Sequence, residues 1–283
     1  MPVVPFQEII RTAFKEHFAV AAFNVVNDLT MDAILEAASQ ARAPVIIQVS
    51  VKTVKVWGAR LLHAMFQEMA RARPIPASLH LDHCPEIGVI RECLDAGWNS
   101  VLFDASSLSY EENLAQTIQV VALARRYGAA VEGELEAVRG IEDGHGSDEE
   151  EKLAPLPRCV EFVRKTGIDC FAPAIGTAHG VYEKEPAIDF DRVRQIVAAE
   201  PIPIVLHGGT GLRDEVFREL IRSGCAKVNI STMLRMTYAD SHRNYLQTHP
   251  AEYDLMKLQA AVKENLVAMA KQFMVTFGSA GRG

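Results

Sequence analysis

Histidine, carboxylate, hydroxyl and glycine residues are concentrated in five short segments of this 283-residue sequence. Each segment follows a run of apolar residues, and in chain order they are residues 80–83 (HLDH), 132–134 (EGE), 176–180 (GTAHG), 207–211 (HGGTG) and 229–232 (NIST). Imidazoles and carboxylates bind metal ions and transfer protons. Glycine lets the backbone come close to a ligand. If the segments meet in space, they can form one catalytic site.

Three of the histidines, His83, His179 and His207, come from three different segments. Three protein ligands and one open position are typical of a catalytic Zn²⁺ site, and imidazole also suits Co²⁺ and Fe²⁺. We therefore predict one metal ion bound by these imidazoles, with Glu134 as a further candidate ligand. His80 alternates away from His83, which favours a core or supporting position and leaves a ligand role open.

Acid–base candidates lie beside the first predicted ligand and in one acidic loop. Asp82 precedes His83 and is a candidate metal ligand, acid–base group or strand-end cap. The segment 139–152 (RGIEDGHGSDEEEK) is rich in glycine and acidic residues, which predicts a mobile surface loop. Glu142 or Asp143 could act as a base when such a loop closes, although a glutamate in such a loop, taken alone, is most often simply solvated.

Small residues in the last two segments are typical of a phosphate site. Gly208, Gly209 and Thr210 follow one apolar run, and Ser231 and Thr232 follow the next. Backbone N–H groups at such turns and at helix N-termini bind phosphate. A tight turn alone would also select glycine, so the pattern favours phosphate chiefly in combination with the predicted metal.

The elements that must position these segments alternate between short apolar runs and longer amphipathic stretches. Strands are predicted at 20–24, 45–49, 78–82, 100–104, 130–135, 169–175, 202–206 and 226–230. Helices are predicted at 30–42, 60–71, 110–127, 214–223 and 254–274, among others. The pattern predicts an α/β fold, a single (β/α)₈ barrel domain over residues 1–283 with an additional C-terminal helix. An open doubly wound sheet is the less favoured alternative, because it usually has fewer strands and a glycine-rich turn after the first strand, whereas Asn-Val-Val-Asn-Asp follows Phe23 here.

Composition excludes several classes of partner. The chain has 29 Lys and Arg against 36 Asp and Glu, a net charge of −7, which argues against nucleic-acid and membrane-surface binding. Five cysteines without a CxxC pair predict neither a disulfide framework nor a thiolate zinc site. The N-terminal segment carries charges where a secretory signal would be apolar. These observations predict a cytoplasmic protein.

Six motifs in register give the sequence a family resemblance. The chain resembles the class II, metal-dependent ketose-bisphosphate aldolases, which act on fructose or tagatose bisphosphate, from about residue 4 to residue 281. The matching motifs are HLDHC at 80–84, VEGEL at 131–135, GIEDG at 140–144, IGTAHG at 175–180, LHGGTG at 206–211 and KVNIST at 227–232.

The resemblance implies a role for each matching residue. A zinc ion, one per subunit, would be held by His83, His179 and His207 and act as a Lewis acid on dihydroxyacetone phosphate. Asp82 would exchange the proton on the hydroxyl at the aldehyde carbon, Glu142 would transfer a proton α to the carbonyl, and Glu134 would lie near the metal. A monovalent cation (Na⁺ or K⁺) and a homodimer or homotetramer are also implied. The groups that would hold the triose phosphate are Gly180, Gly208, Gly209, Thr210, Asn229, Ser231 and Thr232.

Departures from the fructose-bisphosphate pattern affect the aldehyde half of the substrate. Thr210 replaces a serine, Ser231 an aspartate and Glu183 a lysine, while Glu136 and Arg139 replace glycines. The sequence therefore predicts a zinc-dependent aldolase that releases dihydroxyacetone phosphate from fructose or tagatose 1,6-bisphosphate, from another ketose phosphate or from a phosphorylated deoxy-keto acid. A barrel metallohydrolase and a non-catalytic barrel subunit are alternatives. The absence of a histidine after the first strand disfavours the hydrolase, and the intact Asp82 and histidines disfavour the inactive subunit.

Overall fold

Eight parallel strands close into a barrel in a computed structural model of the chain. The structure describes residues 3–138, 140–142, 145–147, 153–182 and 184–283, with only the backbone for 140–142 and 145–147. The predicted eight-stranded parallel barrel is confirmed. Around the barrel the strands are β1 (Val20–Asn24), β2 (Val45–Ser50), β3 (Ala77–Cys84), β4 (Ser100–Asp104), β5 (Ala130–Glu134), β8 (Cys170–Ala172), β9 (Ile204–Leu206) and β10 (Cys225–Ile230).

Helices surround the barrel, and the predicted additional C-terminal helix is present at Leu255–Thr276, where it packs on the helices Asp28–Ala41 and Thr232–Thr248. The helices are α1 (Phe6–Glu16), α2 (Asp28–Ala41), α3 (Val51–Trp57), α4 (Ala59–Arg71), α5 (Ile87–Asp95), α6 (Tyr110–Arg125), α7 (Leu156–Thr166), α8 (Phe190–Ala199), α9 (Asp214–Arg222), α10 (Thr232–Thr248) and α11 (Leu255–Thr276). Among the residues described, no helix is long and apolar enough to cross a membrane.

The barrel strands are buried on both faces, because alternate residues join two different apolar clusters. Ala21 and Phe23 of β1 pack with the large cluster between the barrel and its helices. Val20 and Ala22 join a smaller cluster together with Phe6 and other residues of α1. Helix α1 therefore closes the N-terminal end of the barrel, and the opposite end, where the predicted site residues lie, stays accessible.

Two strands are shorter than predicted because of proline. The strand predicted at 169–175 is β8 (Cys170–Ala172), which ends before Pro173, and the strand predicted at 202–206 begins at Ile204, after Pro203. Proline has no N–H to donate to a sheet ladder, so it limits a strand between two neighbours.

The segment predicted as a loop between β5 and α7 contains a small hairpin instead. Strand β6 (Gly140–Glu142) pairs antiparallel with β7 (His145–Ser147), and Glu142 lies opposite His145. Antiparallel pairing satisfies backbone hydrogen bonds within the segment, which the loop prediction did not anticipate. Arg139 and Asp143 lie outside the described residues.

Candidate metal centre and active site

Three imidazoles meet at the carboxyl end of the barrel. His83 lies at the end of β3, His179 follows β8, and His207 follows β9. One ring nitrogen from each lies within 4.8 Å of the others, and the ring centroids of His83 and His207 are 4.7 Å apart. His83 and His207 are buried and His179 is half-buried. The three predicted metal ligands are therefore close enough to share one ion.

A bulge in β3 allows two consecutive residues to serve the site. The pairing register between β3 and β4 shifts between Leu81 and Cys84, and His83 has a left-handed φ of 42°. This backbone conformation is costly for a residue with a side chain and is often found at functional sites. Because of it, the Asp82 carboxylate contacts Asn24 of β1 while the His83 imidazole contacts Asp104 of β4.

Carboxylates surround His83. Its Nδ1 lies 2.8 Å from Asp104 Oδ2 and 3.6 Å from Glu134 Oε2. Burial alone would lower the pKa of His83, but the negative charges of Asp82, Glu134 and Asp104 raise that pKa well above the ordinary value. Burial, and then the charge of Asp104, raise the pKa of Glu134. The surroundings therefore favour positive charge at this point, as a cation site requires.

His207 is oriented by a buried glutamate, Glu132, to which the sequence assigned no individual role. Glu132 Oε1 accepts a hydrogen bond from His207 Nε2 at 2.8 Å, and Lys227 Nζ donates to Glu132 Oε2 at 2.8 Å. Burial would raise the pKa of Glu132, but the Lys227 ammonium and His207 hold that pKa well below the usual range. An ionised carboxylate can only accept, so Nε2 carries the proton and Nδ1 faces the cluster.

His80 belongs to the support of the site. Its Nδ1 lies 2.7 Å from the Ser100 hydroxyl, its Nε2 lies 3.6 Å from Glu132 Oε2, and its ring stacks on Phe6. The side chain is fully buried. Of the two positions left open for His80, the structure places it in the core beneath the cluster.

A short chain of amides holds Asp82. Asn24 Nδ2 donates to Asp82 Oδ2 at 2.6 Å, and Gln48 Nε2 donates to Asn24 Oδ1 at 2.8 Å. The other carboxylate oxygen, Oδ1, is buried without a hydrogen-bond partner among the described residues. One oxygen of Asp82 is thus fixed and the other can receive a proton.

The two glycine-containing loops pack tightly against each other. Gly208 has φ 69°, and a Cβ there would lie 2.3 Å from the Ala178 carbonyl oxygen, so only glycine fits. The Tyr182 hydroxyl donates to the Gly208 carbonyl at 2.5 Å and accepts from the Ala178 N–H at 2.9 Å. Tyr182 therefore ties the loop that carries His179 to the loop that carries His207.

The remaining predicted site residues lie at the same end of the barrel. Gly180 is in the loop after β8, Gly209 and Thr210 follow β9, Asn229 is near the end of β10, and Ser231 and Thr232 stand at the start of α10. The Ser231 hydroxyl is buried without a partner among the described residues. The backbone of Glu142 is in the hairpin, but its side chain lies outside the described residues, as does Glu183.

Sequence reasoning missed the residues that support the predicted ligands. Asp104, Glu132, Lys227, Asn24 and Gln48 are all buried strand residues that contact a predicted site residue or its neighbour. Asp104 could have been found, because it ends the strand next to the one that carries His83. The other four are buried strand residues, and their contacts with one another and with His207 and Asp82 depend on which strands become neighbours or face each other across the barrel.

Comparisons with known proteins identify the family. The family model described as fructose-bisphosphate aldolase class-II matches residues 4–282. The chain is 34% identical to the sulfofructosephosphate aldolase of Alkalicoccus urumqiensis, over 99% of this chain and 98% of the relative. It is 36% identical to the probable fructose-bisphosphate aldolase of Bacillus subtilis (strain 168), over 96% and 98%.

The solved structure of the YdjI aldolase from Escherichia coli K12 matches with a TM-score of 0.86 and 30% identity, over 99% of both chains. The structural match extends over the whole barrel and its C-terminal helix, in agreement with the match of the family model. The chain therefore belongs to the class II fructose-bisphosphate aldolase family and is an aldolase, a lyase that acts on a phosphorylated sugar.

Proposed function

We propose that this aldolase is zinc-dependent and cleaves a phosphorylated ketose, such as fructose or tagatose 1,6-bisphosphate, into dihydroxyacetone phosphate and an aldehyde. The observation that carries the proposal is the convergence of His83, His179 and His207, with one ring nitrogen from each within 4.8 Å of the others. Asp82 directly precedes His83 in the chain. Three imidazoles with room for a further ligand suit Zn²⁺.

The donor set fits a metal cation. His207 Nδ1 and Glu134 Oε2 are buried, lie 3.5 Å apart and have no hydrogen-bond partner among the described residues. Buried polar atoms without partners are costly, so a cation between them would satisfy both. We propose that the three histidines hold Zn²⁺ and that Glu134 is a further candidate ligand. When bound, the ion supplies Lewis acidity for a substrate carbonyl.

Proton transfer is assigned to two carboxylates. Asp82 is oriented by Asn24 and leaves Oδ1 for a substrate hydroxyl, so we assign to it the proton that moves when the carbon–carbon bond forms or breaks. Glu142 is assigned the proton at the carbon α to the carbonyl, because its hairpin follows β5 at the same end of the barrel.

The triose phosphate is assigned to the loops after β8, β9 and β10. The Ser231 hydroxyl, which has no hydrogen-bond partner among the described residues, supports an anion there, as do the N-terminus of α10 and the backbone at Gly208. The assigned residues are Gly180, Gly208, Gly209, Thr210, Asn229, Ser231 and Thr232, and a monovalent cation (Na⁺ or K⁺) nearby is part of the proposal.

We propose that a basic cavity near the ends of β1 and β2 receives the far end of the substrate, because these strands end at the same end of the barrel as the histidines. The cavity has a volume of about 330 Å³ and is lined by Lys52 and Arg235, together with Val26, Thr53, Val56 and Trp57. Two cationic side chains in one cavity favour a substrate whose far end is also anionic. A second phosphate and the carboxylate of a phosphorylated deoxy-keto acid both satisfy this requirement.

The test is a panel of retro-aldol assays on the zinc-loaded and the zinc-free protein. We expect cleavage of fructose 1,6-bisphosphate, tagatose 1,6-bisphosphate or a phosphorylated deoxy-keto acid, loss of activity on chelation and recovery with Zn²⁺. Full activity after complete removal of zinc would contradict the metal role. A hydrolysis product without a carbonyl fragment would favour the metallohydrolase instead.

We further propose a cytoplasmic homodimer or homotetramer. Large apolar side chains such as Val56, Tyr253, Leu255 and Met256 are 67–88% exposed, and subunit association would cover such groups. All five cysteines are unpaired thiols, as a reducing compartment allows. Light scattering after size-exclusion chromatography measures the subunit number, and a monomer at micromolar concentration would contradict the proposed association.

A further inference from the structure

A fully buried ion pair crosses the interior of the barrel beneath the site. Glu132 lies on β5 and Lys227 on β10, strands that are not neighbours in the sheet, and the Lys227 Nζ lies 2.8 Å from Glu132 Oε2. Both side chains have zero exposure. An apolar pair of similar volume usually gives a fold equal stability, because two buried charges lose their hydration. The position of this pair therefore calls for an explanation other than stability.

The pair connects to the metal site through one oxygen of Glu132. Oε1 accepts from His207 Nε2 at 2.8 Å, while Oε2 is held by the ammonium of Lys227. With its proton on Nε2, His207 presents Nδ1 to Glu134, whose Oε2 lies 3.5 Å away. A carboxylate behind a metal-binding histidine fixes the tautomer and the orientation of the ring.

The ammonium of Lys227 also contacts Asn229, one of the residues proposed to bind the phosphate. Lys227 Nζ donates to the Asn229 carbonyl oxygen Oδ1 at 2.8 Å. The carboxamide of Asn229 is planar, so fixing Oδ1 directs the Nδ2 amide group away from Lys227. Asn229 is 6% exposed and stands two residues before the Ser231 hydroxyl. An amide donor held in this way suits an anion.

We propose that Lys227 is a positioning residue that sets both halves of the site, His207 through Glu132 and Asn229 directly. One buried cation thereby presents an imidazole nitrogen to a metal ion and an amide N–H group to a phosphate. The inference rests on the proposed function for the roles of His207 and Asn229. It adds a residue that contacts neither ligand.

The first test is Lys227→Met, which keeps the length of the side chain and removes its charge. Zinc affinity is measured by competition with a chelator, ligand geometry by the absorption spectrum of the Co²⁺-loaded protein, and phosphate affinity by titration with inorganic phosphate. We expect zinc affinity to fall about 10- to 100-fold, the range for loss of a group that orients a metal ligand. The Co²⁺ spectrum should change and phosphate binding should weaken.

Arg73→Met is the matched control, because it removes an ion pair with Asp32 in the outer layer of helices. It should lower stability without changing zinc affinity, phosphate affinity or the Co²⁺ spectrum. If both variants shifted the three measurements equally, the effect would be general destabilisation and the proposal would be overturned.

The variant Glu132→Gln separates the effect of Lys227 on His207, which passes through Glu132, from its direct effect on Asn229. If Lys227 acts on His207 through Glu132, the double variant Glu132→Gln/Lys227→Met should lose no more zinc affinity than Glu132→Gln alone. The loss of phosphate affinity caused by Lys227→Met should persist in the double variant, since that branch bypasses Glu132. The double variant is also neutral overall, so it carries the test if the single Lys227 variant does not fold.

A folded Lys227→Met protein with wild-type affinity for both zinc and phosphate would overturn the proposal. None of these measurements requires turnover. Failure of the wild-type protein to cleave any ketose phosphate would therefore contradict the proposed function. The measured effects of Lys227→Met on zinc and phosphate binding would still test the positioning role. A wild-type protein that binds neither zinc nor phosphate would contradict both.

Discussion

Each buried histidine of the cluster is oriented by a carboxylate from another strand. Asp104 accepts from His83, and Glu132 accepts from His207. These carboxylates fix which ring nitrogen carries a proton and so which nitrogen can bind a metal. Asp82 lies beside the cluster, but it is held by Asn24 and is absent from the ligand groups that can be formed from the described residues. Its function can therefore be separated from metal binding.

Replacement of Asp82 by alanine tests this separation. We expect the variant to keep its zinc, measured by elemental analysis, and to lose about 10²- to 10⁴-fold in kcat, the usual contribution of an acid–base group. The control is Asp191→Asn, because Asp191 is an exposed residue of α8. This variant should keep both its zinc content and its kcat. An unchanged kcat in Asp82→Ala would rule out the proton role.

At the scale of elements, one acidic side chain on α2, Asp32, forms ion pairs that link three parts of the outer helical layer. Asp32 on α2 pairs with Lys263 on α11 and with Arg73, which follows α4. Burial would raise the pKa of Asp32, but the hydrogen bonds from Lys263 and Arg73 outweigh it and lower the pKa below its ordinary value. The folded state therefore favours the ionised carboxylate, and its stabilising effect is present at neutral pH and is lost as the pH falls through the lowered pKa.

Asp32→Asn should lower the free energy of unfolding by about 1 kcal/mol at pH 7, the upper end for partly exposed ion pairs. The difference from wild type should shrink as the pH falls through the lowered pKa of Asp32, because the wild-type carboxylate then takes up a proton. Urea unfolding between pH 7 and pH 3 measures the difference in the free energy of unfolding. The control is Asp240→Asn, because Asp240 is exposed and its ion pair with Arg243 lies within one helix. A difference that grows toward low pH would contradict the assignment.

Local patterns in the sequence were sufficient for most elements but not for the contacts between them. The first strand begins and ends as predicted, at Val20 and Asn24. It lies within an apolar run, residues 18–23, that ends at Asn24. The hairpin at β6 and β7 was missed because Gly and acidic residues have low strand propensity. The positions of His83, His179 and His207 at the ends of predicted strands were also enough to predict that they meet at one end of the barrel. In the sequence, Lys227 is not distinguishable from the other residues of its strand. Its ion pair with Glu132 forms across the barrel and so depends on the closure of the barrel.

At the scale of the whole molecule, all five cysteines are buried as free thiols. Burial raises the pKa of Cys84 and of Cys225 to about 12, and that of Cys159 to about 11. A raised pKa leaves little thiolate at neutral pH, and the thiolate is the reactive form.

Native protein should therefore react slowly with Ellman's reagent at pH 8, and all five thiols should react quickly in denaturant. The absorbance of the released thiolate measures both rates, and protein held in denaturant from the start is the control. A thiol that reacts in the native protein as quickly as in denaturant would show that its side chain is accessible.

The seam that closes the barrel sets the order in which the site is made during protein synthesis. It joins the first strand to the last, with Val20 opposite Lys227 and Phe23 opposite Ile230. A ribosome makes His83, His179 and His207 before it makes β10, so a nascent chain can carry every predicted zinc ligand without the ammonium that supports His207. The same strand carries both Lys227 and Asn229, so the candidate site has all of its residues only once β10 has been made and has paired with β1.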